Sequence, residues 1–285
     1  MNNNIKSAGN QEQITIATNC YELDYRMVLH PEYGNLLFHP SNKLFTNRLL
    51  MINDVEDRNN AERMAEMANS KGIISQYYFC CDVADLIMKR YECSRESFIQ
   101  KYSLIRSLKY AIRNQRHFKR SFDGYNYTIP VMSAIHLCNT KWLIYCEEDV
   151  LFEDETSEEW IVKSIDMMKN DDRFFVANPL WNGELQEAIS ESEKEEKDFL
   201  ISSGFSCQCF LINAERIKNT INIYSESNKQ SDILYPIYAG NCFEKRINSY
   251  MRNHGFKRIT YKNCNYSHKT ITKEHIGKYI RVHNY

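Results

Sequence analysis

The sequence predicts an α/β protein with a mixed, mostly parallel central sheet flanked by helices. Three observations carry this expectation. Short β-branched or aromatic runs alternate with helix-like segments through the first half of the chain. The early runs end in polar residues, Asn19, Asp54 and Asp82. The most apolar run, Trp142-Leu143-Ile144-Tyr145-Cys146, leads directly into Glu147-Glu148-Asp149. In open α/β sheets the ligand crevice lies outside the carboxyl ends of the strands, so these polar ends predict a single binding edge.

Taken in order, residues 1–12 are polar and expected to be a flexible N-terminus. Residues 14–18 are β-branched and read as the first strand, and 48–52 as the second. Between 59 and 71, Ala61, Met64, Ala65 and Ala68 recur at helical spacing. A third strand is expected over 73–80, a mostly helical stretch from 83 to about 120, and a helix over 131–137. Residues 158–170 are amphipathic and 173–177 read as a strand that continues into Asn178-Pro179-Leu180-Trp181-Asn182. The charged stretch 184–197 reads as a solvated helix or loop, with a lid as the alternative. A strand is expected over 205–213, a helix over 242–254 stopped by Gly255, and a last strand at 258–261.

With 285 residues, 43% of them hydrophobic, the chain can bury a full core. Its net charge of −1 offers no general attraction to nucleic acid, which argues against a nucleic-acid partner. The ten cysteines form no CxxC pair, and Cys138 and Cys146 fall in apolar segments, so a reduced, cytoplasmic protein is expected. No run of about 18 apolar residues is present, so at most peripheral membrane contact is expected. Neither GxGxxG nor GxxxxGK[ST] occurs, which argues against dinucleotide and P-loop chemistry.

The acids after the fourth strand point to a hard cation. On an extended backbone Glu147 and Asp149 face one way and Glu148 the other, and paired carboxylates suit Mg²⁺ or Mn²⁺. Glu153, Asp154 and Glu155 follow closely, so a solvated acidic loop stands as the alternative. Asp54 and Asp82 can likewise be loop or helix caps, the latter for a helix beginning near Val83.

In order, these segments resemble the GT-A glycosyltransferases, in particular the inverting glycosyltransferase family 2. The likeness is carried by Ile16-Ala17-Thr18-Asn19-Cys20-Tyr21-Glu22, by Tyr145-Cys146-Glu147-Glu148-Asp149 at that family's Asp-x-Asp, and by Phe243-Glu244-Lys245-Arg246 opening a late helix. Gly255, Ile259-Thr260-Tyr261 and Tyr266-Ser267-His268 complete it, over roughly residues 13–268. Two positions depart from the family pattern: Glu147 replaces an Asp, and Phe243-Glu244 replaces a Glu-Asp pair.

The resemblance implies a single GT-A catalytic domain over 13–268, nucleotide-sugar-binding over 13–150 and acceptor-binding and catalytic over 151–268, followed by a basic tail at 269–285. It implies transfer of a sugar from a nucleoside-diphosphate donor, UDP-linked first among candidates, to a hydroxyl with inversion. A divalent cation, Mn²⁺ or Mg²⁺, would be held by Asp149 and Glu147 with His268, and Glu244 would be the general base. Thr18, Asn19, Glu22, Asp54, Asp82 and Glu147 would contact the donor. The acceptor would be a glycan, lipid-linked or protein-linked, with Trp181 and residues 204–206 on its side. The basic residues Lys109, Arg113, Arg116, Lys119 and Arg120 fit a solvated helix face or an anionic acceptor or membrane surface, and the same holds for Lys269, Lys273, Lys278 and Arg281. Two other readings stay open: a nucleotidyltransferase of related fold, and a non-catalytic GT-A-like binding or assembly protein.

Overall fold

The computed structural model describes residues 12–22, 24–28, 43–101, 121–152, 158–234 and 242–268. The proposed basic helix face at 109–120, nearly all of the N-terminal segment and the 269–285 tail lie outside them.

The first half is a parallel array. Strands β1 (Ile14–Cys20), β2 (Phe45–Ile52), β3 (Gln76–Phe79) and β6 (Trp142–Cys146) are built from β-branched and aromatic residues. β1 pairs in parallel with both β2 and β6, and β2 with β3. Their carboxyl ends therefore share one edge. Helices α1 (Tyr25–Val28), α2 (Arg58–Ser70), α3 (Cys80–Arg90) and α4 (Tyr125–Leu137) follow the strands. α2 buries Ala61, Ala65 and Ala68 against the sheet and is capped by Asp57, whose side chain accepts from the Asn60 N–H at 3.1 Å. The cap is thus Asp57 rather than Asp54.

Two local expectations are corrected here. α3 begins directly at Cys80 after Phe79, so Asp82 lies inside its first turn and caps nothing. The stretch expected to be mostly helical to about 120 is interrupted at Arg90, where the backbone turns at Glu92 (φ 51), and its part from 102 to 120 lies outside the described residues. A 3₁₀ turn (Arg95–Phe98) and a two-stranded ribbon of β4 (Ile99–Lys101) and β5 (Ser121–Asp123) follow.

The second half continues the same sheet with mixed pairing. Its elements are β7 (Val150–Phe152), α5 (Glu158–Asn170), β8 (Phe174–Trp181), α6 (Leu185–Glu191), β9 (Lys194–Glu196), β10 (Phe199–Ser202), β11 (Cys209–Asn213), α7 (Ala214–Lys218), α8 (Lys229–Leu234), α9 (Phe243–Asn253) and β12 (Lys257–His268). The ten-stranded sheet runs β3-β2-β1-β6-β11-β8-β12-β10-β9, with β7 on β12. Here β11 enters antiparallel between β6 and β8, whereas β8 and β12 run parallel. Pro179, within β8, lies beyond the stretch paired with β11 and opposite Tyr261 of β12, next to the point where that register shifts.

The charged stretch 184–197 is largely exposed, as expected, and begins as a helix, but it continues into a strand rather than a loop. Its acids meet cations on β12: Glu191 with Arg258 (3.0 Å), Glu193 with Lys257 (2.7 Å) and Glu195 with Lys262. That complementarity lets β9 form an edge strand beside β10. Two apolar layers cover the sheet. Trp160, Ile161 and Ile165 of α5 join α2 on one face, and Ile87, Met132, Ile135, Phe243, Ile247 and Met251 from α3, α4 and α9 lie on the other. Each face thus buries its own apolar stripe, the main source of stability in such a layered fold.

Candidate functional site

Glu147 extends the β6 ladder by one bond, its N–H donating to the Gln208 carbonyl at 2.8 Å. The chain then turns back, with the Val150 N–H donating to the Glu147 carbonyl at 3.1 Å. The three acids therefore occupy a tight turn rather than an extended strand, which corrects the alternation argument. The division of faces survives by other means. Glu148 faces β1 and accepts from Asn19 Nδ2 at 2.5 Å, whereas Glu147 and Asp149 face β12.

His268 reaches those two acids through sheet pairing. β7 runs antiparallel to the end of β12, with His268 opposite Val150. His268 Nε2 lies 2.9 Å from Asp149 Oδ1 and 3.4 Å from Glu147 Oε2. The Asp149 and Glu147 carboxylates hold the imidazole's pKa up at about 10. The His268 backbone N–H donates to Asn182 Oδ1 at 2.9 Å, and Asn182 adopts a left-handed conformation (φ 49) that Asn tolerates. A register shift in β12 between Tyr261 and Asn265 frees the strand to leave β10 and meet β7.

The donor set fits a divalent cation. One atom each of Glu147, Asp149 and His268 lies within 4.8 Å of the others. Asp149 Oδ1 and His268 Nε2 are shielded from solvent and, despite their proximity, neither has a hydrogen bond of sound geometry. Two carboxylates and an imidazole suit Mn²⁺ or Mg²⁺ better than a soft ion.

Glu244 sits beside this group. It lies in the first turn of α9, whose N-cap is Cys242, where the helix dipole favours a carboxylate. Burial, and then the nearby Glu147 charge, push its pKa up to about 8; a backbone hydrogen bond from Cys207 and the Arg258 charge act the other way. Cys207 also donates its thiol to Glu147 Oε1 at 3.1 Å. Arg258 is buried and held by Ser202 Oγ (3.0 Å) and Glu191, with the Trp181 ring 5.3 Å from its guanidinium.

The remaining candidates lie at the strand ends in separate small networks. Thr18 and Asn19 are buried at the end of β1, and Asn19 Oδ1 accepts from Tyr145 OH at 2.6 Å. Glu22 accepts from the Glu56 N–H at 2.9 Å. Asp54, at φ 50, accepts from Asn126 Nδ2 at 3.1 Å. Asp82 is clasped by the two terminal guanidinium nitrogens of Arg58, at 2.8 and 2.5 Å.

Pro130 ties this edge to α4. Lacking an N–H, it leaves the Asn126 carbonyl without its helical partner. Tyr21 OH (2.9 Å) and Asn53 Nδ2 (3.1 Å) donate to that carbonyl instead.

Sequence reasoning missed Asp24, Cys207 and the orientation of Glu148. Asp24 is buried and accepts from the Tyr21 N–H at 2.5 Å; burial, with a further push from Asp149, lifts its pKa to about 7. Burial likewise raises Glu148, helped by Asp24 and Glu147. Only the strand alternation hinted at Glu148, and no local signal marked the other two.

None of the ten cysteines is in a disulfide. Among the described residues, no helix is long and apolar enough to cross a membrane.

No protein-family model matches the chain, and no curated protein matches it. Among solved structures it is similar to the mannosyltransferase PcManGT from Pyrobaculum calidifontis in complex with GDP-Man and Mn²⁺, with a TM-score of 0.49 and 7% identity, covering 94% of this chain and 60% of that one. It is also similar to GalNAc-T7 with UDP, GalNAc and Mn²⁺ (TM-score 0.47, 10% identity, 96% of this chain and 48% of that one). A third is glucosyl-3-phosphoglycerate synthase from Mycobacterium tuberculosis with Mn²⁺, UDP and glucosyl-3-phosphoglycerate (TM-score 0.44, 7% identity, 95% and 76%). The chain spans less than two thirds of the length of the first two. At 7–10% identity this is a likeness of backbone course and brings no residue assignments with it.

Proposed function

We propose that this protein is a metal-dependent glycosyltransferase that moves a sugar from a nucleoside-diphosphate donor, UDP-linked first among candidates, to a hydroxyl acceptor with inversion. One observation carries the reading: Glu147, Asp149 and His268 converge at the carboxyl edge of the parallel strands, and Glu244 stands beside Glu147.

Asp149, Glu147 and His268 would hold a divalent cation, which when bound supplies Lewis-acid relief of charge on the departing diphosphate. To serve as a ligand, His268 gives up the proton that the two carboxylates otherwise hold on it. Asn19, Glu148 and Thr18 line the end of β1 and would orient the nucleoside, with Asp54, Glu22 and Asp82 further out on the same edge. Glu244 accepts the proton of the attacking hydroxyl. With Glu147 engaged as a ligand, one of the two influences raising Glu244 is neutralised, and Arg258 and the α9 dipole favour the ionised base. Attack from the side opposite the leaving diphosphate inverts the anomeric centre. Trp181 and residues 204–206 would lie on the acceptor side, and the acceptor would be a glycan, lipid-linked or protein-linked.

The test is Mn²⁺-dependent hydrolysis or transfer from a panel of UDP- and GDP-sugars, with UDP and GDP binding measured in parallel. Glu244→Gln is expected to lose at least a hundredfold in turnover with nucleotide affinity kept. Full turnover in that variant would remove Glu244 from the role of base. Absence of any nucleotide binding with Mn²⁺ would overturn the reading as a whole.

A further inference from the structure

The end of α9 remote from Glu244 carries a second concave site. Ten residues of helix separate Glu244 from His254, about 15 Å at the helical rise. Around His254 a wide-open surface cavity of ≈ 480 Å³ is lined by Glu92, Asn219, Asn222, Glu226 and Tyr250 among others. This volume falls within the range of small-molecule sites.

The backbone at Glu92 sets this cavity apart. α3 closes with two paired bonds, Cys93 N–H to the Met88 carbonyl (2.9 Å) and Glu92 N–H to the Lys89 carbonyl (3.4 Å). The same closure ends α2, through Ile73 N–H to Ala68 and Gly72 N–H to Asn69, and α9, through Phe256 N–H to Met251 and Gly255 N–H to Arg252. The residue driven to positive φ is Gly72 (φ 70) in α2 and Gly255 (φ 69) in α9, but in α3 it is Glu92 (φ 51). Glycine is the favoured occupant of this position because a Cβ is strained there. The chain therefore keeps a side chain where its own backbone favours none, and that side chain lines the cavity.

The chemistry of the wall selects a ligand class. Glu92, Asn219 and Asn222 are exposed, and among the described residues no hydrogen bond or ion pair engages the Glu92 carboxylate or the two side-chain amides, which leaves them open to a ligand. Glu226, by contrast, is already taken up by Asn253 Nδ2 (2.8 Å) and His254 Nε2 (2.9 Å). The Tyr250 and His254 rings pack together with centroids 4.5 Å apart. A carboxylate accepts from hydroxyls, amides both donate and accept, and ring surfaces pack on C–H faces. Neighbouring hydroxyls on a pyranose ring, with its C–H face, satisfy all three. We propose that this cavity binds a sugar unit, separately from the cleft at Glu147 and Asp149. The inference stands on the cavity itself; the proposed transfer reaction adds only that such a sugar would belong to a glycan acceptor.

The test is saturation-transfer NMR on the full chain, without metal or nucleotide, using lactose, maltose and N,N′-diacetylchitobiose as probes. At least one is expected to bind at millimolar concentration, and Glu92→Gly to weaken it at least tenfold. The same variant is expected to melt at a higher temperature, because it relieves the strained conformation, and to leave donor hydrolysis unchanged. Asn222→Ala is expected to weaken the same sugar, and Asp149→Ala to leave it bound. The proposal is overturned if no probe binds, if Glu92→Gly binds as the parent does, or if Asp149→Ala abolishes binding. Binding of spermine with no sugar bound would reassign the cavity to cations and overturn it equally.

Discussion

His268 Nε2 lies 2.9 Å from Asp149 Oδ1, and the two meet because β7 lies against the end of β12 with His268 opposite Val150. The backbone register, rather than either side chain, therefore sets the geometry of the group. In the metal-free protein His268⁺ screens two adjacent carboxylates that would otherwise repel one another.

The first prediction concerns the cation. A ligand that binds only the folded state at a hundred times its Kd adds about 2.7 kcal/mol to stability. Mn²⁺ is expected to raise the melting temperature of the parent protein, and Asp149→Asn or His268→Ala to remove most of that rise. Differential scanning fluorimetry across a Mn²⁺ titration measures it. An unchanged titration in both variants would dissociate these residues from the ion.

Asn182 tests the support behind the ligands. Its Oδ1 accepts from the His268 N–H at 2.9 Å, and its own φ of 49 suits glycine. Asn182→Gly keeps that backbone conformation and deletes only the acceptor. The contact holds the His268 backbone rather than its ring, so the expected weakening of metal affinity is about tenfold, the lower end for outer contacts of a ligand. Isothermal titration with Mn²⁺ is expected to show a loss of that size, with the circular dichroism spectrum unchanged.

The third prediction is a pH dependence. Burial raises Asp24 from 3.8 to about 7, so the fold favours its protonated form. Its stabilising contribution is complete below about pH 4 and is lost as pH rises through about 7. Asp24→Asn keeps an oxygen to accept from the Tyr21 N–H but cannot ionise. It is expected to match the parent at pH 4 and to exceed it at pH 8, by about 4 kcal/mol at most for three pK units. Urea denaturation at the two pH values checks this, and an equal gain at both would assign the effect to packing.

Tyr21→Phe isolates the contact that replaces the missing helical bond at Pro130. Tyr21 OH donates to the Asn126 carbonyl at 2.9 Å, while Asn53 Nδ2 also serves that carbonyl. The loss is expected to be about 1 kcal/mol, the typical net worth of one hydrogen bond. The midpoint of urea unfolding should fall with its slope unchanged. No shift would show that Asn53 alone satisfies the carbonyl.

Much of the fold was legible in local patterns. Residues 158–170 form α5 with the bounds that their 3–4 spacing predicts, and Ala61, Ala65 and Ala68 face the core as their periodicity requires. The strands ending near Asn19, Asp54 and Glu147 run parallel and share an edge. These features depend on contacts within a turn or two of chain, and side-chain period reports them directly.

Errors arose where distant segments competed with local preference. The acids of 191–195 stay exposed as expected, but the edge strand at their end is legible only once Lys257, Arg258 and Lys262 of β12 stand beside them. Asp82 looks like a cap until α3 is seen to start at Cys80, and its carboxylate goes to Arg58. In both cases a partner far along the chain decided the outcome.

By itself, the sequence determined the α/β class, the alternation of its first strands and helices and a run of acids at the end of a buried strand. The tertiary structure alone decided that Glu148 turns toward Asn19 and that Asp24 and Cys207 join this edge, whereas the meeting of His268 with Glu147 and Asp149, and of Glu244 with Glu147, was already implied by the family resemblance. Periodicity records which face of an element is apolar, because neighbours along the chain share one backbone geometry. It carries no record of which strands pair, since that choice balances burial and hydrogen bonding summed over the whole sheet.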